Sequence, residues 1–421
     1  MSDVVNASTT GVTSMVGQRI GSISQQQAII PMILRAAMVG SNFAVMVGLA
    51  AWLGLATFGE LAVTWGLALV VAPVISLGGP LLLLRVLTDG RGVSYRTLFV
   101  HAVIMPMMLG LAFYICAEAL WPRMPWRAVV FCAFAINLLT CLSSLMRGLG
   151  SVLASMAIRD CGPQAALGVA AIYAQGADIL AHAALWMAGL ALIAAVWAWG
   201  HQRRGDIVGR TGASIGASPA LWGTSVLGVA LAQVDIIVGG ALLSPSQMGL
   251  YALLKRVANL VALPVSVATW VSAADISKSF ANGDLSALQN ASRAGSRIAL
   301  LPGTILFIGA MLFATVGAKE GGIVFAVLSL GAFIQVVFAS GFPVATLCGF
   351  AHVAAMSRAV SVLVYVALAA WVIGPLSNAV AYVASITAGS VVLWFLLWQR
   401  TRVDTSAFAL FLDRRGGWKP S

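Results

Sequence analysis

The sequence predicts an all-α integral membrane protein, with about 12 transmembrane helices in two pseudo-symmetric six-helix lobes around a central cavity. Three observations predict this fold class. The 421 residues are 60% hydrophobic and only 9% charged, with a mean hydropathy of +0.97, whereas soluble proteins carry about 25% charged residues. The uncharged stretches are long enough to cross a bilayer, and two parts of the chain repeat a common pattern.

The number of helices follows from where the charged residues fall. A helix needs about 20 mainly apolar residues to cross the hydrocarbon core, and the uncharged stretches are apolar on every side, unlike the strands of a transmembrane barrel. The fifth stretch is short, between Asp160 and Asp178, and the last holds two helices separated by a turn at Gly374-Pro375. The predicted helices are centred near residues 42, 72, 107, 137, 168, 190, 231, 260, 307, 333, 364 and 389.

The connections between these helices are too short for a soluble catalytic domain. The longest ones are polar and lie near residues 200–218 and 274–297. The predicted regions are an N-terminal tail at 1–27, a first lobe of helices 1–6 at 28–200, a linker at 201–218, a second lobe of helices 7–12 at 219–399 and a C-terminal tail at 400–421.

The positive charges predict the orientation in the membrane. Of the 24 lysines and arginines, eighteen fall in the two tails and in the loops on the same side, Arg358 among them, and three fall in the opposite loops. Because cytoplasmic loops are enriched in basic residues, both termini are predicted to be cytoplasmic. The net charge of +11 is therefore a topology signal and a contact with anionic lipids, and nucleic acid is not a predicted partner.

An internal repeat supports two lobes. The segment LATFGELAVTWGLALVVAP begins at Leu55, and LSPSQMGLYALLKRVANLVALP begins at Leu243. Each places a glycine near the start of a helix, Gly59 or Gly249, and reaches a proline several turns later. A second pair aligns Gly148 with Gly349. Similar offsets in both pairs predict one six-helix unit that is repeated in parallel.

The sequence contains no recognisable catalytic machinery. It has no P-loop for ATP phosphates, and its four histidines and five cysteines form no cluster with metal-ligand spacing. We therefore predict that the protein is not an enzyme and that it holds no metal or cofactor. A membrane polymerase or ligase of polysaccharide synthesis remains an alternative, although such proteins normally need a large exterior loop.

Several segments resemble the oligosaccharidyl-lipid flippase branch of the multidrug/oligosaccharidyl-lipid/polysaccharide (MOP) superfamily, which includes the Wzx-type O-antigen flippases. The segments are LGLATFGELAVTWGL, LMRGLG, DIIVGGALLSPSQMGLYALLKR and WVSAADISKSF. The layout matches over nearly the whole chain, and the specific motifs cover about a fifth of it. Some relatives have fourteen helices, whereas twelve are predicted here, so we expect no groove built from a thirteenth and a fourteenth helix.

The resemblance implies a flippase that moves an undecaprenyl-pyrophosphate-linked oligosaccharide across the bacterial inner membrane by alternating access, for O-antigen, capsule or exopolysaccharide synthesis. Membrane lipids, a polysaccharide polymerase and glycosyltransferases are the partners implied with it. The alternative within the superfamily is a cation-coupled exporter of drugs or metabolites, which would need essential carboxylates inside the membrane.

Ionisable residues at membrane depth are candidates for function, because inserting them costs about 2.5–3.5 kcal/mol each at a helix centre. Arg35, Lys255 and Arg256 are predicted to form a cationic site for the pyrophosphate that the resemblance implies, since guanidinium and ammonium groups bind phosphate. Lys255 and Arg256 point about 100° apart on a helix and cannot face the cavity equally.

Each of these residues also has a structural alternative. Lys255 or Arg256 could pair with Asp235 across a helical hairpin, and Arg35 could extend to the membrane interface. Asp235 is either a proton- or sodium-coupling carboxylate or the partner in that ion pair. The other candidates are polar groups that either line the cavity or form hydrogen bonds between helices: Asn42, Gln233, His101 and His182.

Overall fold

The computed structural model describes residues 25–88, 94–176, 178–202, 219–317 and 321–412. Within these ranges the chain forms twelve long helical segments and a short final helix, α13, at Ala409–Leu412. The long segments are Gln25–Leu53 (α1), Leu55–Ser76 with Gly79–Thr88 (α2), Tyr95–Phe99 with Val100–Ile104 and Met105–Leu120 (α3), Trp126–Gly148 (α4), Val152–Met156 with Ala157–Cys161 and Gly162–Tyr173 (α5), Asp178–Gln202 (α6), Pro219–Leu242 (α7), Pro245–Ala258 with Asn259–Ala262 and Leu263–Ala281 (α8), Leu285–Gly317 (α9), Gly321–Val337 with Gly341–Leu347 (α10), Ala351–Ala369 (α11) and Pro375–Thr401 (α12).

The predicted fold class is confirmed, and each predicted helix centre falls in or beside one of the twelve segments. In the described part of the chain, nine helices are long and apolar enough to cross a membrane. The α10 pair adds a tenth if its two pieces, bent by 49°, count as one span. The two remaining segments are α1, whose apolar part is Ala37–Leu53, and α5, which the sequence already marks as the shortest.

Besides α10, four of the described segments are interrupted. In α2 the break is at Leu77 and Gly78, four residues after Pro73, and both residues have positive φ. In α8 a 3-10 turn precedes Pro264, whose ring cannot follow a regular helical turn. In α3 and α5 the interruption is a π-helical turn, at Val100–Ile104 and Ala157–Cys161. Breaks near Pro73 and Pro264 agree with the predicted repeat.

Helix packing repeats with a shift of six helices. In the first lobe α4 packs against α2, α3 and α6, α5 packs against α6, and α1 against α5. In the second lobe α10 packs against α8, α9 and α12, α11 packs against α12, and α7 against α11. The lobes meet mainly where α2 packs against α7 and α8. Two halves with the same internal packing explain the sequence repeat.

The second predicted repeat pair needs a correction. Gly150 follows α4 with a φ of 86°, and Gly349 follows α10 with a φ of 80°. Glycine is preferred at such left-handed positions after a helix because it has no Cβ. Gly150 is therefore the counterpart of Gly349, and the alignment of Gly148 with Gly349 is wrong by two residues, since Gly148 is still helical.

Two equivalent glycines let the lobes approach at backbone distance, and we call this contact the glycine crossing of Gly59 and Gly249. A Cβ added at Gly59 would lie under 3.0 Å from the carbonyl oxygen of Pro245, and one added at Gly249 under 3.0 Å from that of Leu55. The contacts are reciprocal, as the repeat requires. Small residues let membrane helices approach at backbone distance, so the crossing holds α2 against α8 next to the α1–α2 and α7–α8 turns.

Arg358 was assigned to a loop from the sequence, but the structure places it within α11. Its guanidinium donates a hydrogen bond to the backbone oxygen of Thr224 on α7 and lies 3.9 Å from the ring centroid of Phe342. Charge alone could not reveal these contacts between elements distant in sequence. Arg358 therefore joins α7 and α11 inside the second lobe.

The described part of the predicted C-terminal tail packs against the second lobe. Thr405 is fully buried and Ala407 is 3% exposed. The backbone N–H of Ala407 donates to the oxygen of Val337, where α10 breaks, and the hydroxyl of Ser340 donates to the oxygen of Thr405. This segment thus pairs the backbone oxygen of Val337 at the break in α10.

Asp404 fixes this segment, and its loss should destabilise the lobe. Its Oδ1 accepts hydrogen bonds from Trp394 Nε1 at 2.9 Å and from the N–H and hydroxyl of Ser406 at 2.9 and 2.7 Å. Asp404→Ala should lower the free energy of unfolding by about 1.5–3 kcal/mol, the range for hydrogen bonds to a charged group. Thermal unfolding in detergent measures this. The exposed carboxylate of Asp275 provides the control, and equal stability of Asp404→Ala and Asp275→Ala would contradict the prediction.

Candidate substrate site between the lobes

The hairpin of α7 and α8 brings the charged residues together. Ser244 caps α8 in a capping box with Gln247, and Pro245 occupies the first turn, where its missing N–H costs nothing. This tight start aligns α8 antiparallel to α7. Tyr251 and Lys255 are four residues apart, so they share one face of α8, and that face meets Asp235 of α7.

Asp235 and Lys255 form a buried ion pair. Lys255 Nζ lies 2.6 Å from Asp235 Oδ1 and donates to the backbone oxygen of Ala232 at 2.7 Å. The hydroxyl of Tyr251 donates to Asp235 Oδ2 at 2.7 Å. Asp235 is fully buried and Lys255 is 3% exposed. Both carboxylate oxygens are therefore engaged, and the ammonium is held inside the second lobe.

Two further helices complete this cluster. Asn378 of α12 donates from Nδ2 to the backbone oxygen of Asp235 at 3.2 Å, and the hydroxyl of Tyr365 of α11 donates to Asn378 Oδ1. Lys255 Nζ lies 4.2 Å from the ring centroid of Tyr382, a distance typical of a cation–π contact. The polar cluster thus ties α7, α8, α11 and α12 together.

The sequence reasoning missed the uncharged members of this cluster. Three of the six tyrosines in the chain converge here: Tyr251, Tyr365 and Tyr382. A signal was available, since a tyrosine at membrane depth needs a partner for its hydroxyl. Which partner the hydroxyl finds depends on how four helices are rotated against one another, and a single amino-acid sequence does not show those rotations.

For Lys255 the structure gives the pairing alternative, because its contacts with Asp235, Ala232 and Tyr382 all lie within the second lobe. Arg256 faces elsewhere, as the 100° step along a helix requires. It lines a small pocket between the lobes and forms no hydrogen bond or ion pair with any residue that the structure describes. The pocket is lined by Met46, Phe58, Leu61, Ala62, Trp65 and Leu167 of the first lobe and by Ile236, Ala252 and Arg256 of the second.

Two of the predicted polar candidates have partners. Asn42 donates from Nδ2 to the backbone oxygen of Asp160 at 2.7 Å, inside the π turn of α5. His182 is exposed on α6, and its Nδ1 lies 2.9 Å from the backbone oxygen of Asp178. The structure therefore gives Asn42 an interhelical hydrogen bond and His182 a hydrogen bond within its own helix, and it brings neither into the pocket of Arg256.

Of the remaining candidates, two have a side-chain atom without a hydrogen-bond partner among the described residues, and the side chain of the third lies outside the described residues. Gln233 is 8% exposed, and its Oε1 has no hydrogen-bond partner among the described residues. His101 lies in the π turn of α3, and its Nδ1 also has no partner within the described ranges. The backbone of Arg35 belongs to α1, but its side chain is outside the described residues.

These features define a class of protein: a two-lobed helical membrane bundle with a largely apolar pocket between the lobes, into which one arginine is placed. No protein-family model and no curated protein matches the sequence. Solved structures do match. The inward-facing conformation of a multidrug resistance MATE family transporter of the MOP superfamily superposes with a TM-score of 0.64, at 13% identity, over 92% of this chain and 100% of that one.

Two further matches agree with the first. The MATE transporter VcmN of Vibrio cholerae in its bent form gives a TM-score of 0.58, at 14% identity, over 93% of this chain and 98% of that one. A MOP superfamily transporter of Pyrococcus furiosus, described as having a binding pocket of reversed polarity, gives 0.57 at 14% identity over 89% and 96%. The chain therefore has the fold of the MATE transporters of the MOP superfamily.

Proposed function

We propose that the protein is a membrane transporter of the MOP superfamily that flips an undecaprenyl-pyrophosphate-linked oligosaccharide to the periplasmic leaflet of a bacterial inner membrane. The observation that carries this proposal is Arg256. Its guanidinium lies at membrane depth between the lobes, without a hydrogen bond or ion pair in the described part of the chain. Placing arginine there costs about 2.5–3.5 kcal/mol, which an anionic ligand would offset.

The mechanism is alternating access, and no covalent step is involved. The two lobes share a fold with solved transporters and meet along α2, α7 and α8. Rocking of one lobe against the other opens the interface to one side of the membrane at a time. Arg256 suits a pyrophosphate because a planar guanidinium can bind two phosphate oxygens at once, and the partly dehydrated interface screens that attraction less than water does.

The buried carboxylate argues against the second candidate, a cation-coupled drug exporter. The fold likeness to a multidrug resistance transporter is what favours that candidate. A coupling carboxylate, however, must bind and release protons or sodium. Both oxygens of Asp235 are occupied by Lys255 and Tyr251, and no described residue of the pocket of Arg256 carries a negative charge.

The orientation and partners belong to the same proposal. The excess of basic residues in one set of loops supports cytoplasmic termini. In that orientation the glycine crossing lies on the periplasmic side, and the substrate enters from the cytoplasmic leaflet. Glycosyltransferases would supply the lipid-linked glycan, and a polysaccharide polymerase would use it after translocation.

Flipping in reconstituted vesicles tests the function and the role of Arg256 together. Purified protein is inserted in liposomes that carry undecaprenyl-pyrophosphate-linked oligosaccharide, and the glycan that becomes accessible to an external glycosidase is measured over time. Arg256→Gln should slow flipping roughly tenfold or more, because a hydrogen bond to a charged group contributes about 1.5–3 kcal/mol. Arg256→Lys should retain part of the rate because it keeps the charge.

The matched control is Arg123→Ala, which removes the same charge from an exposed loop residue and should leave flipping unchanged. If Arg256→Gln flips the glycan at the wild-type rate, Arg256 is not part of the substrate site. Vesicles that flip no lipid-linked glycan but accumulate a cationic dye against its gradient would contradict the flippase proposal and support the drug exporter.

A further inference from the structure

Trp65 also lines the pocket of Arg256, and its indole is a second donor without a partner among the described residues. Trp65 lies on α2 and is 1% exposed, yet its Nε1 has no hydrogen-bond partner among the described residues. An indole N–H can only donate. Leaving such a group buried and unpaired costs about 1–3 kcal/mol, so buried tryptophans usually find an acceptor.

Among the described residues, the side chains that line the pocket supply hydrogen-bond donors and no oxygen acceptor. Of these residues, Trp65 and Arg256 have side-chain nitrogens that can donate hydrogen bonds, and the other seven are apolar. A guanidinium, like an indole, donates and does not accept. Gln233 faces Gly66, the neighbour of Trp65, but its Oε1 is itself unpaired, so the two side chains do not satisfy each other. The missing partner is an acceptor that comes from outside the described chain.

The two donors belong to different lobes. Trp65 is on α2 of the first lobe, and Arg256 is on α8 of the second. In this structure the pocket has a volume of about 10 Å³, roughly the space for one water molecule. A phosphate group fits only when the lobes move apart, and once it is bound it can accept hydrogen bonds from both lobes.

We propose that Trp65 is the first-lobe half of the anion site, and that its N–H and the guanidinium of Arg256 bind the same anionic oxygen-bearing group across the lobe interface. This inference rests on the proposed function, in which that group is the pyrophosphate of the lipid carrier. The anion then bridges the lobes and stabilises their approach. A cationic ligand meets two donors and no acceptor, so the same pair excludes it.

The role assigned to Trp65 is hydrogen bonding and not stacking. Its ring is almost completely enclosed, so a sugar ring has no open face on which to stack. Replacing the indole with a phenyl ring keeps an aromatic side chain on α2 and removes the N–H. Trp65→Phe therefore isolates the contribution of the donor to ligand binding.

The test measures binding to the full-length protein in detergent by calorimetry. The probes are undecaprenyl pyrophosphate, inorganic pyrophosphate and uncharged undecaprenol. Trp65→Phe should weaken binding of both pyrophosphate probes roughly fivefold to tenfold, the effect of about 1–1.4 kcal/mol, and Arg256→Gln should weaken it further. Undecaprenol should be unaffected. The double variant should lose less than the sum of the two, because both donors act on one ligand group.

Trp222→Phe is the matched control. The indole of Trp222 also lies at the interface, but its N–H donates to the backbone oxygen of Pro73 at 3.1 Å. Removing the N–H of Trp222 should lower the melting temperature and leave the affinity for pyrophosphate unchanged. Trp65→Phe should lower that affinity, and its melting temperature should be at least as high as that of Trp222→Phe. If Trp65→Phe binds the pyrophosphate probes with wild-type affinity while Arg256→Gln binds them more weakly, this inference is wrong and the proposed function still stands. Absence of pyrophosphate binding to the wild-type protein overturns both.

Discussion

Asp235→Ala is expected to lower the free energy of unfolding by about 3–5 kcal/mol, because it leaves the ammonium of Lys255 buried without its counter-charge. The reason is the enclosure of the pair: Lys255 is 3% exposed and Asp235 is fully buried. The hydroxyl of Tyr251 also loses its acceptor, the side-chain oxygen Oδ2 of Asp235. Retention of a monodisperse folded species after heating in detergent measures the effect.

The double variant Asp235→Leu with Lys255→Met distinguishes a structural role of the ion pair from a role of Asp235 in coupling transport to a cation. Replacing a buried pair by apolar residues of similar volume is often neutral or stabilising by about 1–4 kcal/mol, so the double variant should regain most of the lost stability. It should also retain flipping in vesicles, since the pair belongs to the second lobe and not to the pocket of Arg256. A stable double variant that no longer transports would instead assign Asp235 to coupling.

Gly249→Ala is expected to prevent full closure of the glycine crossing. The added Cβ would lie under 3.0 Å from the backbone oxygen of Leu55, and backbone on a packed helix cannot yield as a flexible side chain does. Overpacking of this kind costs about 1–3 kcal/mol. The closed arrangement should therefore become roughly 5- to 150-fold less populated, since 1.4 kcal/mol is about a factor of ten.

Thiol labelling measures this shift on a background from which the native cysteines have been removed. A cysteine placed at Ala56, beside the crossing, should react faster with a membrane-impermeant reagent in Gly249→Ala than in the parent. Gly59→Ala should reproduce the effect, because its Cβ would meet Pro245. Gly189→Ala is the control, since a Cβ there meets no atom within 4 Å among the described residues. Equal labelling in all variants would show that the crossing does not control access.

Most of the fold could be predicted because its signals are local. Backbone groups in lipid must be paired within helices, so the apolar stretches between charged residues, with the turn signal at Gly374-Pro375, located the twelve segments. The repeat was visible because Gly59 and Gly249 occupy equivalent positions and make equivalent contacts. Failures occurred where the answer depended on a distant element. Arg358 looked like a loop residue because its partners, Thr224 and Phe342, are on other helices.

The sequence by itself determined that this chain lies in a membrane, that it is built from two similar lobes, and that lysine and arginine stand side by side on α8. Only the tertiary structure decided which of the two cations has no hydrogen bond or ion pair among the described residues. A step of one residue turns a side chain by about 100°, so the packing of α8 directs Lys255 onto Asp235 within its own lobe. The same rotation directs Arg256 to the lobe interface, into the pocket that Trp65 also lines, whose indole N–H has no partner among the described residues. The sequence shows which charged residues lie at membrane depth. Whether such a charge is neutralised or available to a ligand depends on how the helices are rotated against one another.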